Sequence, residues 1–331
     1  MRVRKMFAAL DIHKNFSHAI ICGEDGRIIK EGRIKTTEED IRKFFAGYKP
    51  TKVALEATTL STWIVDVLDA MGIEPKVAHP YKTRLIAESQ IKTDKIDAEI
   101  LVHLLRTNLL PTSYIPPRFI RELRALITQR VFYGRLSGKL KNRIYSELNR
   151  RGIKYETKRI FGNKGKEWLR SLNIRNITSN LSLLEHVEKE IKALDIEIIR
   201  IGKEIKEVRL LTTIPGVGWY SALLIYAYIG DIERFPSEEK FFSYAGLVPG
   251  VKQSGDKRYY GRIINQSCKL LRWILIQDTW AHICAAPDSK ISRHYEKLRK
   301  KKCKQVAIVG AARKLAQVIY WMLKKGKEYE G

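Results

Sequence analysis

Long apolar runs are missing from this sequence. The longest nearly unbroken one, Ala222 to Ile229, is far short of the roughly 20 residues that a membrane-crossing helix needs, so no membrane partner is expected. Cysteine is scarce. Cys22, Cys268, Cys284 and Cys303 stand alone, without the paired spacing of a disulfide framework or a zinc site. The basic N-terminus leads into an apolar stretch that Asp11 interrupts, which argues against a secretory leader. These absences together suggest a cytoplasmic protein. Negative charge is short as well: 36 Asp and Glu stand against 62 Lys and Arg, a net charge of +26 over 331 residues. Such an excess points to a polyanionic partner, most simply nucleic acid. Hydrophobic residues still make up 44% of the chain, which excludes a disordered basic tail.

The charge is unevenly placed. Residues 1–110 hold 18 basic and 15 acidic residues, a net of +3, whereas residues 111–209 carry +12 and residues 210–331 carry +11. Pro111, Pro116 and Pro117 mark the first boundary. The expected organisation is therefore a nearly neutral domain at 1–110, a basic long-helix region at 111–209 and a basic C-terminal domain at 210–331.

In the first part, the apolar run Met6 to Ile12 suits a central strand. His18 to Cys22 and Arg27 to Ile34 follow, joined by the turn residues Glu24-Asp25-Gly26. Thr37 opens a helix with three acids in its first turn. Strands at Lys52 to Ala57 and Lys76 to Ala78 alternate with helices at Ser61 to Met71, Tyr81 to Ser89 and Asp94 to Leu105. The order β-β-β-α-β-α-β-α-α describes a mixed sheet with helices on its faces. Beyond it, Phe119 to Arg151 reads as one long basic helix. Leu181 to Leu211 reads as a second, with a heptad-like seam at Leu184, Val187, Ile191, Leu194, Ile198, Ile201 and Ile205. The pair suggests an antiparallel helical hairpin that packs on itself or on a second subunit. Gly162 to Gly165 and Asn173 to Asn180 read as turns, and Gly246 to Arg262 as a loop. The basic stretch Arg293 to Lys304 links two apolar helices.

Four acids stand out. Asp11 ends the first apolar strand, Glu56 ends another, and Asp94 and Asp97 open a helix three residues apart, so both can face one way. A carboxylate at the end of an apolar strand is costly unless it is paired or binds a metal. Taken singly, each has an ordinary explanation as a cap, a turn residue or an ion-pair partner. Taken together, they describe a ribonuclease H-like site for Mg²⁺, whose ligands are oxygens.

Three motifs, Leu10-Asp11-Ile12-His13-Lys14, Ala54-Leu55-Glu56-Ala57-Thr58 and Lys92-Thr93-Asp94-Lys95-Ile96-Asp97-Ala98, resemble the Asp-Glu-Asp-Asp insertion-sequence transposases. The first domain of that family is similar to the RuvC Holliday-junction resolvase. The resemblance continues through Leu211 to Gly218 and Tyr244 to Trp273. It implies an α/β RuvC-like N-terminal domain, a coiled-coil middle and a mainly α C-terminal domain with a helix-hairpin-helix-like turn. It also implies a serine nucleophile after a Gly-x-x-Pro loop. Here Gly246-Leu247-Val248-Pro249 precedes Gln253-Ser254-Gly255, so the resemblance nominates Ser254. Lys252, Lys257, Arg258 and Arg262 flank it and are candidates to hold a phosphate. Gly216 and Gly218 are candidates for a phosphate at a helix start. Further implications are DNA as donor and target, a guide RNA from the element's noncoding end, and a homodimer or homotetramer. One departure is visible: Ser267-Cys268 stands where relatives carry Gly-Asn. The residues alone leave two other readings open, a metal-only nuclease of resolvase type and a nonenzymatic nucleic-acid-binding protein.

Overall fold

A computed structural model of the chain describes residues 5–86, 94–155, 159–254, 257–263 and 266–331, with the side chains of residues 251–258, 260 and 262 outside that description. The chain divides into two compact units, one ending at Ile115 and the other beginning at Pro116. The long-helix region and the C-terminal part thus pack together in the second unit.

In the first unit, β1 (Met6–Ile12), β2 (Phe16–Gly23) and β3 (Ile28–Lys35) form an antiparallel meander. Strands β4 (Lys52–Leu55) and β5 (Glu74–Val77) add in parallel on the other side of β1, giving the order β3-β2-β1-β4-β5. Successive side chains of a strand point to opposite faces. Ala8, Leu10 and Ile12 therefore join a core with α1 (Glu38–Phe45) and α2 (Ser61–Ala70). Thr37 caps α1 by accepting from the Asp40 N–H, as its position suggests. The opposite face carries Phe7 and Ala9 of β1 with Ala54 of β4, packed on Ala98, Leu101, Val102 and Leu105 of α4 (Asp94–Arg106). Alanine at 9, 54 and 98 lets α4 lie close to the sheet. A short helix, α3 (Pro80–Ile86), precedes it. The element order is the expected one.

The second unit opens with α5 (Arg118–Arg150), which runs antiparallel to α7 (Arg175–Glu204). Near the hairpin tip, Leu140, Ile144 and Leu148 pack against Ile177, Leu181, Leu184 and Val187. At its root, Ile120, Leu123, Ile127 and Val131 join Ile198 in the main core. Arg130 clamps the pair by donating from Nε and Nη2 to the two Asp195 oxygens at 2.8 and 3.3 Å.

Four expectations need correcting. The single helix over 181–211 is two, because Ile205 adopts extended backbone angles between α7 and α8 (Lys206–Thr212). Gly202 lies between Trp219 and Val208, where a Cβ would meet both near 3.1–3.2 Å, and this close approach accompanies the bend. The turn-rich reading of 162–165 and 173–180 gives way to α6 (Asn163–Ser171) and the start of α7, since burial of Ile177 outweighs the weak helix preference of asparagine. Most of the basic stretch after Arg293 lies in α12 (Lys290–Arg299), which buries Ile291, Ser292 and Tyr295. Finally, the supposed loop at 246–262 contains a hairpin of β6 (Pro249–Ser254) and β7 (Lys257–Ile263). The remaining helices of the unit are α9 (Trp219–Ile229), α10 (Glu238–Ala245), α11 (Lys269–Ala285) and α13 (Lys304–Lys325). Helix α13 is long and apolar enough to cross a membrane by length and composition. Its Ala307, Ala311, Ala312, Leu315 and Ile319 are instead buried in the main core.

Candidate active site

The period of two that sends Ala9 to the α4 face sends Asp11 there too. The parallel register pairs Ala9 with Ala54 and Leu10 with Leu55, so Glu56 leaves β4 beside Asp11. Helix α4 starts at Asp94 and carries Asp97 one turn on. All four predicted acids therefore gather at one edge of the first unit. Lys95 holds the start of α4 to β3 through Glu31, at 3.0 Å.

Asp11 is buried, with only 5% of its side chain exposed, whereas Asp94 is 45% exposed. Between them sits His13, whose Nε2 lies 3.1 Å from Asp11 Oδ2 and 3.2 Å from Asp94 Oδ1. The imidazole stacks on Phe16 at 5.0 Å. Partial desolvation lowers the His13 pKa, but the charges and hydrogen bonds of Asp11 and Asp94 outweigh it, and the net shift is upward. Glu56 is pushed above the ordinary carboxylate range, first by partial desolvation of its carboxyl, then by a hydrogen bond to Asp11 and by the charges of Asp11 and Asp97. Ligand atoms of Asp11, His13 and Asp94 lie within 4.8 Å of one another. This donor set fits a divalent ion. Hard carboxylate oxygens from β1 and α4 converge there, and the repulsion that Glu56 feels from Asp11 and Asp97 is what such an ion would relieve. His13 was not singled out from the sequence, although it stands two residues after Asp11, a spacing that keeps the strand's side.

In the second unit, the turn from Pro215 to Gly218 joins α8 to α9. Gly216 has φ +87°, and a Cβ there would lie 2.5 Å from the His282 backbone nitrogen. The glycine is thus required by packing against α11. Gly218 is open on its Cα side, and its N–H donates to Ser221 Oγ at 3.2 Å. His282 is fully buried and bonds on both ring nitrogens, to the Pro215 carbonyl and to Ser289 Oγ, each at 2.8 Å. Ser254 ends β6 opposite Lys257, and Gln253 pairs with Arg258. The side chains of Lys252, Ser254, Lys257, Arg258 and Arg262 lie outside the described residues. At the departure from the family pattern, the Cys268 N–H donates to the Tyr244 carbonyl at 2.8 Å and α11 begins at the next residue.

Two family models match the chain, in separate stretches. A model of IS110-type DEDD transposases matches residues 8–151, a span that includes all four acids. A model of the IS116/IS110/IS902 transposase family matches residues 208–296, which include the Gly216 turn and Ser254. Both stretches of the chain are thus similar to IS110-type transposases. The chain is 24% identical over 282 residues to the Yersinia enterocolitica transposase of insertion element IS1328, covering 81% of each chain. It is 23% identical over 286 residues to y4qE of Sinorhizobium fredii, a protein that carries a transposase name, covering 84% of this chain and 72% of that one. The transposase of IS1111A from Coxiella burnetii is 30% identical over 145 residues, 43% of this chain and 38% of that protein. A transposase acts on DNA, which agrees with the excess of basic residues.

Proposed function

We propose that the chain is an RNA-guided, Mg²⁺-dependent recombinase that cuts and rejoins DNA through a phosphoserine. The observation that carries this reading is the convergence of Asp11, Glu56, Asp94 and Asp97 at one edge of a sheet ordered β3-β2-β1-β4-β5. That strand order, with only β2 antiparallel to its neighbours, agrees with a ribonuclease H-like, RuvC-like first domain. Asp11, Glu56, Asp94 and Asp97, with His13 beside them, would hold the ion. Mg²⁺ bound there would supply Lewis-acid activation of a hydroxyl and stabilisation of a leaving oxygen.

The serine hydroxyl is a weak nucleophile near neutral pH unless its proton is taken up. In this reading Ser254 Oγ forms the new P–O bond to a strand phosphate. The displaced strand oxygen leaves and takes up a proton, and rejoining reverses the exchange. Lys252, Lys257, Arg258 and Arg262 hold the phosphate, and Gly216 and Gly218 place backbone near the duplex. Guide-RNA pairing selects donor and target sequence, so the protein itself grips backbones, which suits the net +23 carried beyond residue 110. Strand exchange needs several protomers, a dimer that pairs into a tetramer, acting in the cytoplasm.

The test is purification with the flanking noncoding transcript, donor and target plasmids and Mg²⁺. A covalent protein–DNA adduct that needs the RNA and is lost in Ser254→Ala is the expected result. An adduct that persists in Ser254→Ala would remove the serine from its role, and cleavage unchanged in Asp11→Ala would remove the metal site.

A further inference from the structure

A cavity of about 290 Å³ opens between the tip halves of α5 and α7, lined by Arg143, Glu147, Arg150, Asn176, Ser179 and Asn180. Its walls are almost wholly polar, which is unusual beside a seam built of leucine and isoleucine. Glu147 is 6% exposed and forms the anchor at the floor. It accepts from Arg150 and, at 3.0 Å, from Arg151 Nε, so the Arg150 guanidinium is held in place at the cavity. Most other cations of α5 are used inside the protein. Arg118 pairs with Glu122, Arg130 with Asp195 and Lys141 with Glu188, and Arg124 donates to carbonyls at the end of α9. Arg143 has no ion pair or hydrogen bond among the described residues, and it faces the cavity from the turn before Glu147. Opposite it, α7 contributes two amides and a hydroxyl, with one Asn180 Nδ2 hydrogen already given to the Asn176 carbonyl at 2.6 Å, and its first turn carries no acid. A fixed guanidinium, a second uncommitted one, and short amide and hydroxyl donors make an oxyanion site.

We infer that this cavity binds one phosphodiester of a nucleic-acid strand, with Arg143 and Arg150 on the phosphate oxygens and Ser179 and the amides of Asn176 and Asn180 on the adjoining sugar or base edge. The inference rests on the nucleic-acid reading above, though on neither the serine chemistry nor the metal. It puts a strand contact at the hairpin tip, between α5 and α7.

The test measures binding of full-length protein by fluorescence anisotropy across a salt series. The probes are a single-stranded RNA, a single-stranded DNA and a duplex DNA of equal length. Arg143→Gln removes one cation, and Ser179→Asp puts an anion into the cavity at an exposed helical position that accepts aspartate well. Thr178→Asp adds the same charge one residue away, off the cavity. We expect Arg143→Gln and Ser179→Asp to weaken binding about five- to tenfold and, on a single strand, Arg143→Gln to reduce the salt slope by about 0.7. Thr178→Asp should change affinity less than twofold. A loss confined to the RNA probe identifies the strand as RNA, and a loss confined to DNA identifies it as DNA. Wild-type binding with no loss in either cavity variant overturns the site alone, as does an equal loss in Thr178→Asp. Failure of the wild type to bind any probe overturns both the site and the nucleic-acid reading.

Discussion

Gly216 lies so close to His282 that a Cβ on the glycine would sit 2.5 Å from the histidine's backbone nitrogen. The glycine also has a positive φ, +87°. Both facts penalise any side chain. Gly216→Ala is expected to destabilise the second unit by about 2–4 kcal/mol, and Gly218→Ala, with open space and φ −91°, by less than about 1 kcal/mol. Thermal denaturation of the two variants checks the contrast. Equal losses would show that the two glycines do the same work.

His13 supplies the positive charge between Asp11 and Asp94 when no ion is bound. Its folded pKa is raised, so its contribution is complete below the unfolded value and fades as pH rises through the folded one. His13→Ala should therefore lower the melting temperature of metal-free protein more at pH 5.5 than at pH 8.5. Saturating Mg²⁺ should shrink the difference at low pH. A pH-independent loss would count against the charge role.

Glu56 holds its proton more tightly in the folded chain than in the unfolded one. A divalent ion must displace that proton, so metal affinity should climb with pH above the ordinary carboxylate range, with proton release on binding. Calorimetry in buffers of different ionisation enthalpy measures the protons directly. Glu56→Gln should bind metal more weakly and release fewer. Unchanged release would place the proton elsewhere.

Asp278 is buried in α11 at 5% exposure, and its Oδ2 has no hydrogen-bond partner. Burial pushes its pKa up to about 7, with a hydrogen bond from Ser221 acting the other way. The folded state thus keeps a proton that the unfolded state has lost, and stability falls as pH rises from about 4 towards 7. Asp278→Asn should be stabilising by about 1–3 kcal/mol at pH 8 and nearly neutral at pH 4. Chemical denaturation at both values tests it, and a variant less stable at pH 8 than the wild type would refute the assignment.

The first unit was legible because strand alternation and register are strict. Once Phe7 to Leu10 forms a central strand, Asp11 must share a face with Ala9, and the acid spacing on α4 follows from one helical turn. His13 escaped notice because nothing in sequence shows that Asp94 comes to meet it. The second unit was legible in its seam but not at its break. The apolar spacing runs unchanged through Ile198, Ile201 and Ile205, and the turn at Ile205 coincides with Gly202 meeting Trp219, a contact distant from the repeat. The β6–β7 hairpin was hidden by its glycines and lysines, which read as loop. Ser254 owes its candidacy to family resemblance, since no neighbouring residue type marks it as reactive.

Helix α5 has its root in one core and its tip in another. Its 33 residues span about 50 Å at 1.5 Å per residue, and Arg143 lies about 27 Å beyond the middle of Ile120–Val131, so each degree of tilt there carries the cavity by about 0.5 Å. A strand gripped at the tip therefore reports its position to the packing around α9 with mechanical gain. Small strains where the nucleic acid is held become leverage on the unit that carries Ser254.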